Sequence, residues 1–285
     1  IVRRGNLLDL IGDKFSTEKG VRVLRALYQR LESGKLVEGS DIDREIRFVL
    51  HGKKSSTDQM EMFSNGHFEI RTRKKTVEPR TKAQRDFVQS LTNDELAFGI
   101  GPAGTGKTYL AVAVGVSRFI AGEVDKIILS RPAVEAGEKL GYLPGDMKDK
   151  VDPYMQPLYD ALNDFLPAKQ LAKLIEENTI EIAPLAFMRG RTLAHSYIVL
   201  DEAQNATSMQ MKMFLTRLGE GSRMVITGDR SQVDLPKGAM SGLLDAESLL
   251  SNIAPIGFNY FTSKDVVRHA LVATIIEAYE RRNSK

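Results

Sequence analysis

Apolar residues recur along this chain in two rhythms, and the change from one to the other divides it. From about Thr17 to Ser33, Val21, Leu24, Leu27, Tyr28 and Leu31 fall at helical spacing, and Gly34 supplies a stop. A second short helix is predicted from Asp41 to His51 on Ile42, Ile46, Phe48, Val49 and Leu50, with a polar loop over Gly52 to Gln59 after it. Residues 1–70 therefore read as a small N-terminal α/β domain. Beyond about residue 80 the pattern becomes short, continuously apolar runs separated by helical stretches. Leu96–Ile100, Lys126–Ser130, Tyr197–Leu200, Met224–Thr227 and Ile256–Phe261 are the predicted strands. Runs apolar on both faces belong in a sheet covered by helices on both sides, so residues 80–285 are predicted to form an α/β domain around a doubly wound, mostly parallel sheet. Residues 71–85 carry seven basic side chains, Arg71, Arg73, Lys74, Lys75, Arg80, Lys82 and Arg85, against the single acid Glu78, and read as a basic linker.

Composition narrows the functional classes. A chain of 285 residues with 42% hydrophobic content can bury a large core. No apolar run approaches the roughly 18 residues of a membrane span, which argues against a membrane partner. The absence of cysteine excludes disulfides, thiolate nucleophiles and Cys-ligated zinc; with no apolar secretory stretch at the start, it points to the cytoplasm. Forty basic residues against 37 acidic ones leave a net charge of +3, so any affinity for nucleic acid has to come from a local patch such as the basic stretch.

The chemistry is concentrated at the ends of the predicted strands. Gly101-Pro102-Ala103-Gly104-Thr105-Gly106-Lys107-Thr108 fits G-x-x-x-x-G-K-[ST] at every fixed position and stands between an apolar strand and the helical run Tyr109 to Phe119. Such a loop turns consecutive N–H groups inward around a phosphate at a helix N-terminus. Lys107 is expected to neutralise the β- and γ-phosphates and Thr108 to ligate Mg²⁺, and Tyr109, next in the chain, is counted with the loop as a nucleotide contact. The strand Ser196–Leu200 runs into Asp201 and Glu202. Asp201 is expected to hold Mg²⁺ through a water and Glu202 to polarise the attacking water. The strand Lys126–Ser130 intervenes in the sequence between the loop and these acids, which suits RecA-like ATPases with an inserted strand and a catalytic glutamate. A third strand ends in Gly228-Asp229-Arg230-Ser231-Gln232 and is expected to lie beside the acids, with Gln232 in reach of the γ-phosphate.

Taken together these residues resemble the PhoH-like ATPases, relatives of the nucleotide-binding half of superfamily 1 helicases. The resemblance rests on Pro79 to Gln84, Gly101 to Thr108, Ser130-Arg131-Pro132 with Gly141 to Gly145, Leu200 to Asn205, Gly228-Asp229 with Gln232 to Pro236, and Asp265 to His269; it covers about residues 79–282 in order. It implies that Gln84 reads the adenine edge and favours ATP, and that Gln204 and Gln232 couple the γ-phosphate to movement. It also implies that Arg268 is an arginine finger or sensor. The roughly 205 residues after position 80 suffice for one RecA-like domain, so a homo-oligomeric ring, such as a hexamer, is expected to complete the site, with Arg268 or Arg131 reaching a neighbour. The N-terminal domain is similar to a KH-type RNA-binding fold but has no Gly-x-x-Gly loop in residues 1–70. The resemblance further implies a role in RNA metabolism with RNA and an rRNA-processing endoribonuclease as partners. The rival reading is a nucleotide-dependent protein-binding switch or a phosphate-starvation regulator.

Overall fold

A computed structural model describes residues 2–4, 7–32, 69–132, 147–236 and 238–267, with single positions between 37 and 49. The chain separates into two compact units, one of Ile1–His67 with Pro79–Lys82 and one of Phe68–Glu78 with Ala83–Lys285. In the first, strands β1 (Val2–Arg4) and β2 (Leu7–Asp9) pair antiparallel and precede helix α1 (Lys14–Glu32). The helix begins earlier than its apolar spacing suggested because Asp13 caps it: the carboxylate accepts the Ser16 N–H at 2.9 Å. Of the second predicted helix, Asp41, Ile42, Glu45 and Ile46 are helical, and Asp41 pairs with Arg30 at 3.3 Å. The stop at Gly34 and the loop Gly52–Gln59 lie outside the described residues.

In the second unit the stretch expected to be a plain linker has structure of its own. Ile70–Arg71 (β3) and Thr76–Val77 (β4) form an antiparallel pair, and helix α2 begins at Lys82 and runs to Asn93. The lysines between the two short strands serve the C-terminal end of helix α4 (Met147–Phe165). Lys74 donates from its backbone N–H to the Phe165 carbonyl and from its ammonium to the Asn163 carbonyl, while Lys75 pairs with Asp164 at 2.6 Å. The last carbonyls of a helix have no partner within it and carry partial negative charge, so part of this basic run acts as a helix cap.

The main sheet contains β5 (Leu96–Ile100), β6 (Lys126–Arg131), β7 (Ile180–Pro184), β8 (Ser196–Leu200), β9 (Arg223–Gly228) and β10 (Ile256–Tyr260). Their spatial order is β10-β5-β9-β8-β6-β7, and every pair is parallel. The strand that separates the loop-bearing β5 from the acid-bearing β8 is β9, which comes after both in the sequence, whereas β6 flanks β8 on its far side. An additional edge strand, β7, went unpredicted because Glu181 and Pro184 break its apolar run, as suits an edge.

Alternate residues of the central strands feed two cores. Ile127, Leu129, Tyr197, Val199 and Val225 meet Phe87 and Leu91 of α2, Leu110 to Val116 of α3 (Lys107–Ile120), and Leu158 and Leu162 of α4. Ile128, Ile198, Leu200 and Ile226 face Met211 and Phe214 of α6 (Ser208–Leu215), and Leu243 and Ala246 of α7 (Gly242–Leu250). Between α4 and β7 runs α5 (Ala168–Glu176). Both faces of the sheet are thus dry, which explains the uninterrupted apolar runs. No helix among the described residues is long and apolar enough to cross a membrane.

Helix α3 passes close over the sheet at Gly115, where a Cβ would come within 2.6 Å of the fully buried Tyr197 ring. Gly115→Val should therefore overpack this contact and destabilise the unit by about 1–3 kcal/mol, read as a lower urea midpoint; an unchanged midpoint would show that the helix can shift without cost.

Candidate active site

All six strands run the same way, so the loops after β5, β8 and β9 emerge at one end of the sheet, where open α/β sheets bind ligands. The loop after β5 turns through Gly104 (φ 79°) and Gly106 (φ 83°), left-handed positions that a side chain would strain, and then enters α3. Several contacts brace it. The Thr105 hydroxyl donates to the Pro102 carbonyl at 2.9 Å, the Val267 N–H donates to the Gly104 carbonyl at 3.0 Å, and the buried Gln84 donates from Nε2 to the Thr105 carbonyl at 2.8 Å. Lys107 is buried, and its ammonium donates to the carbonyls of Gly101 at 2.6 Å and Pro102 at 2.7 Å. Burial pulls the Lys107 pKa down, and the negative charges of Asp229, Asp201 and Glu202 oppose that shift.

Facing the loop, Asp201 continues the ladder of β8: its N–H donates to the Ser130 carbonyl at 2.9 Å. Its Oδ1 accepts from the Thr108 hydroxyl at 2.6 Å and from the Thr227 hydroxyl at 2.8 Å, so residues from α3, β8 and β9 converge on one oxygen. Glu202 then takes a left-handed backbone (φ 51°, ψ 39°) and heads a single 3₁₀ turn over Ala203–Asn205. For a residue with a Cβ this costs on the order of 1 kcal/mol or more and persists only where its surroundings hold it. They do: Glu202 Oε1 accepts from Arg131 at 2.8 Å and Oε2 accepts from Gln204 Nε2 at 2.6 Å. Gln204, fully buried, accepts the Asp229 N–H on its Oε1 at 3.0 Å, and the Asp229 carboxylate in turn accepts from Gln232 Nε2 at 3.0 Å.

The cleft enclosed by these groups has a volume of about 240 Å³. Ala103, Gly104, Gly106, Lys107, Thr108 and Tyr109 line it from the loop side, and Asp201, Glu202, Gly228, Asp229 and Gln232 from the other. The sequence-predicted loop, acids and Gln232 are therefore brought together. Tyr109 lies at the edge, its ring 4.7 Å from that of Phe165 and its hydroxyl donating to Asp164 at 3.0 Å. Gln84 is not among the lining residues; its amide nitrogen donates to the loop backbone. Arg268 lies outside the described residues. Arg131, expected as one of two residues reaching a neighbouring subunit, has its guanidinium committed within its own chain, to Glu202 and to the Tyr154 carbonyl at 2.7 Å. Thr227 was missed by the sequence reading, although a hydroxyl at the end of an apolar strand was the available signal.

A model of the PhoH-like protein family matches residues 76–280. The chain belongs to the PhoH-like family. A PhoH-like protein of Bacillus subtilis (strain 168) is 49% identical over 283 residues, covering 99% of this chain and 88% of its own. One of Mycobacterium tuberculosis (strain ATCC 25618 / H37Rv) is 46% identical over 280 residues, covering 98% and 78%. Protein PhoH of Escherichia coli (strain K12) is 43% identical over 202 residues, 70% of this chain and 57% of its own. Among solved structures, the UvsW helicase from bacteriophage T4 is similar at 13% identity and a TM-score of 0.41, over 84% of this chain and 77% of that one. A likeness at that level assigns no activity. Membership in the PhoH-like family and the all-parallel sheet with its phosphate-binding loop make this a P-loop nucleotide-binding fold.

Burial and the neighbouring Glu202 raise the Asp201 carboxyl above its ordinary value of 3.8, against the pull of Arg131 and of the two threonine hydroxyls. An acid with a raised pKa binds its proton more tightly in the folded state, so ionised Asp201 costs stability at neutral pH. That cost fades as the pH falls through the raised value toward 3.8 and is absent below it. Asp201→Asn, which keeps an acceptor for Thr108 and Thr227, should raise the thermal midpoint of the metal-free protein at neutral pH. The gain should shrink as the solution is acidified. A lower midpoint at neutral pH would show that the hydrogen bonds to the ionised form outweigh its burial.

Proposed function

We propose that the protein hydrolyses ATP with Mg²⁺ in the cleft between the Gly101–Thr108 loop and the Asp201–Glu202 strand end. The observation that carries this reading is the 2.6 Å hydrogen bond between Thr108 and Asp201, formed across 93 positions of sequence, with Glu202 adjacent. A hydroxyl and a carboxylate oxygen meeting between loop and strand are hard donors that suit Mg²⁺, which is usually held by one or two protein oxygens together with substrate phosphates and waters. Thr108 and Asp201 are the residues that would hold it, and the bound ion would neutralise charge on the β- and γ-phosphates.

The remaining work falls to the chain itself. Inward N–H groups of the loop bind the phosphates, and the desolvated Lys107 ammonium, held by two loop carbonyls, adds its charge to theirs. Glu202 accepts a hydrogen bond, and then the proton, from the attacking water. Gln232, tied through Asp229 and Gln204 to Glu202, links the mouth of the cleft to that base. On family resemblance and not on geometry, we extend the proposal: preference for ATP through Gln84, completion of the site by Arg268 of a neighbouring copy in a ring, and a cytoplasmic role in RNA metabolism beside an rRNA-processing endoribonuclease.

Glu202→Gln should retain Mg·ATP binding while its phosphate release falls by roughly 10²-fold or more, as loss of a general base does. Turnover close to that of the unaltered protein would remove Glu202 from the chemistry. Single-stranded RNA should accelerate ATP hydrolysis by the full chain; acceleration by a protein partner alone would favour the switch reading and set the RNA role aside.

A further inference from the structure

The position of Glu202 is set less by its own strand than by what grips its carboxylate. Its backbone has left the strand for the left-handed region, so nothing in the ladder of β8 aims the side chain. Each carboxylate oxygen accepts one hydrogen bond, Oε1 from Arg131 and Oε2 from Gln204. A carboxylate has about four lone-pair positions, so two remain for a water molecule. Arg131 is itself held from three sides. It is the last residue of β6, the strand beside β8; one guanidinium nitrogen donates to the Tyr154 carbonyl, another to Glu202, and Nε lies 3.7 Å from Asp201 Oδ2.

From this geometry we infer that Arg131 is a positioning residue for the Glu202 base, acting within its own chain. The inference rests on the reading of Glu202 as the base that activates water. A guanidinium presents its donors in a rigid planar fork, so one side chain can bind Glu202 and the Tyr154 carbonyl at once and fix the angle between them. An ammonium is a point charge and cannot hold that angle. Because Tyr154 belongs to α4, the seating of that helix against β6 sets where the fork stands, and through it where the carboxylate stands. The hydrogen bonds that brace the phosphate loop and hold Lys107 do not involve Arg131, so the loop's grip on the phosphates does not run through it.

The test measures kcat and KM for ATP, and the Kd of a non-hydrolysable Mg·ATP analogue, for the full chain and its Arg131→Ala and Arg131→Lys variants. A base displaced by about 1 Å loses on the order of 10²-fold in rate, so Arg131→Ala should lose roughly 10-fold or more in kcat. The analogue's Kd should stay within roughly threefold, the split that marks a transition-state effect. Arg131→Lys should fall between the two, since the charge is kept and the fork is lost. Guanidinium ion in the buffer should raise the kcat of Arg131→Ala but not that of the Arg131→Ala/Glu202→Gln double variant. Unaltered kcat in either single variant, a rise in kcat, or a loss of analogue binding as large as the loss of turnover each overturns the inference. Should Arg131→Ala fail to fold, Arg131→Lys carries the same decision. If Glu202→Gln turns over normally, the reading of the base has failed; if it is inactive while Arg131→Ala is not, only the assignment of Arg131 has failed.

Discussion

Two strands that do not touch, β5 and β8, are fixed relative to each other because β9 lies between them and pairs in parallel with both. The rest of the site depends on that register. Ile100 stands opposite Gly228 and Leu200 opposite Ile226, so the phosphate loop, Thr227 and Asp201 leave the sheet within hydrogen-bond reach of one another. A side-chain period of two means that a slip of one residue in β8 would turn its apolar positions away from their cores and carry Asp201 with them. Burial on both faces forbids such a slip, since Tyr197, Ile198, Val199 and Leu200 are all fully enclosed. The geometry of a few polar atoms is thus secured by apolar packing below them.

The polar end of the sheet works against stability, and its arrangement shows how the cost is contained. Asp201, Lys107 and Asp229 are all buried. Each would be expensive alone, and each is engaged: Asp201 by two hydroxyls, Lys107 by two loop carbonyls, the Asp229 carboxylate by Ser231 and Gln232. Arg131 adds a cation between the two adjacent acids, at 2.8 Å from Glu202 and 3.7 Å from Asp201. An anion with a divalent cation, entering such a cleft, meets a cation and carboxylates already stripped of water, which is the condition under which fixed charges act most strongly.

A connected series of hydrogen bonds leads from Gln232 at the mouth through Asp229 and Gln204 to Glu202, and from there through Arg131 to the backbone of α4. Side chains from the loops after β8 and β9 and from the end of β6 share it. Short, mutually supporting bonds in a desolvated setting rigidify one arrangement of donors and acceptors. This accounts for a glutamate that keeps a left-handed backbone at the end of a strand.

How much of this was legible in the residues follows from the range of the forces involved. The phosphate loop, the apolar strands, the two acids and the helical spacing are written in neighbours a few positions apart, because backbone geometry and side-chain period act locally. Those features were therefore determined by the sequence by itself, and so were the parallel sheet and the end of it that carries the chemistry. Other features depend on which of several equivalent partners is nearest in space. Forty basic residues offered many candidates for Glu202, and only the pairing of β6 with β8 placed Arg131 there, 71 positions away. Lys74 became a cap of α4 and Lys75 an ion-pair partner of its Asp164 because the end of that helix lies 89 positions on beside them. The place of β9 between loop and acids, the use of Thr227, and the engagement of Gln84 with the loop backbone are likewise long-range choices, decided by tertiary packing because no local rule distinguishes among them.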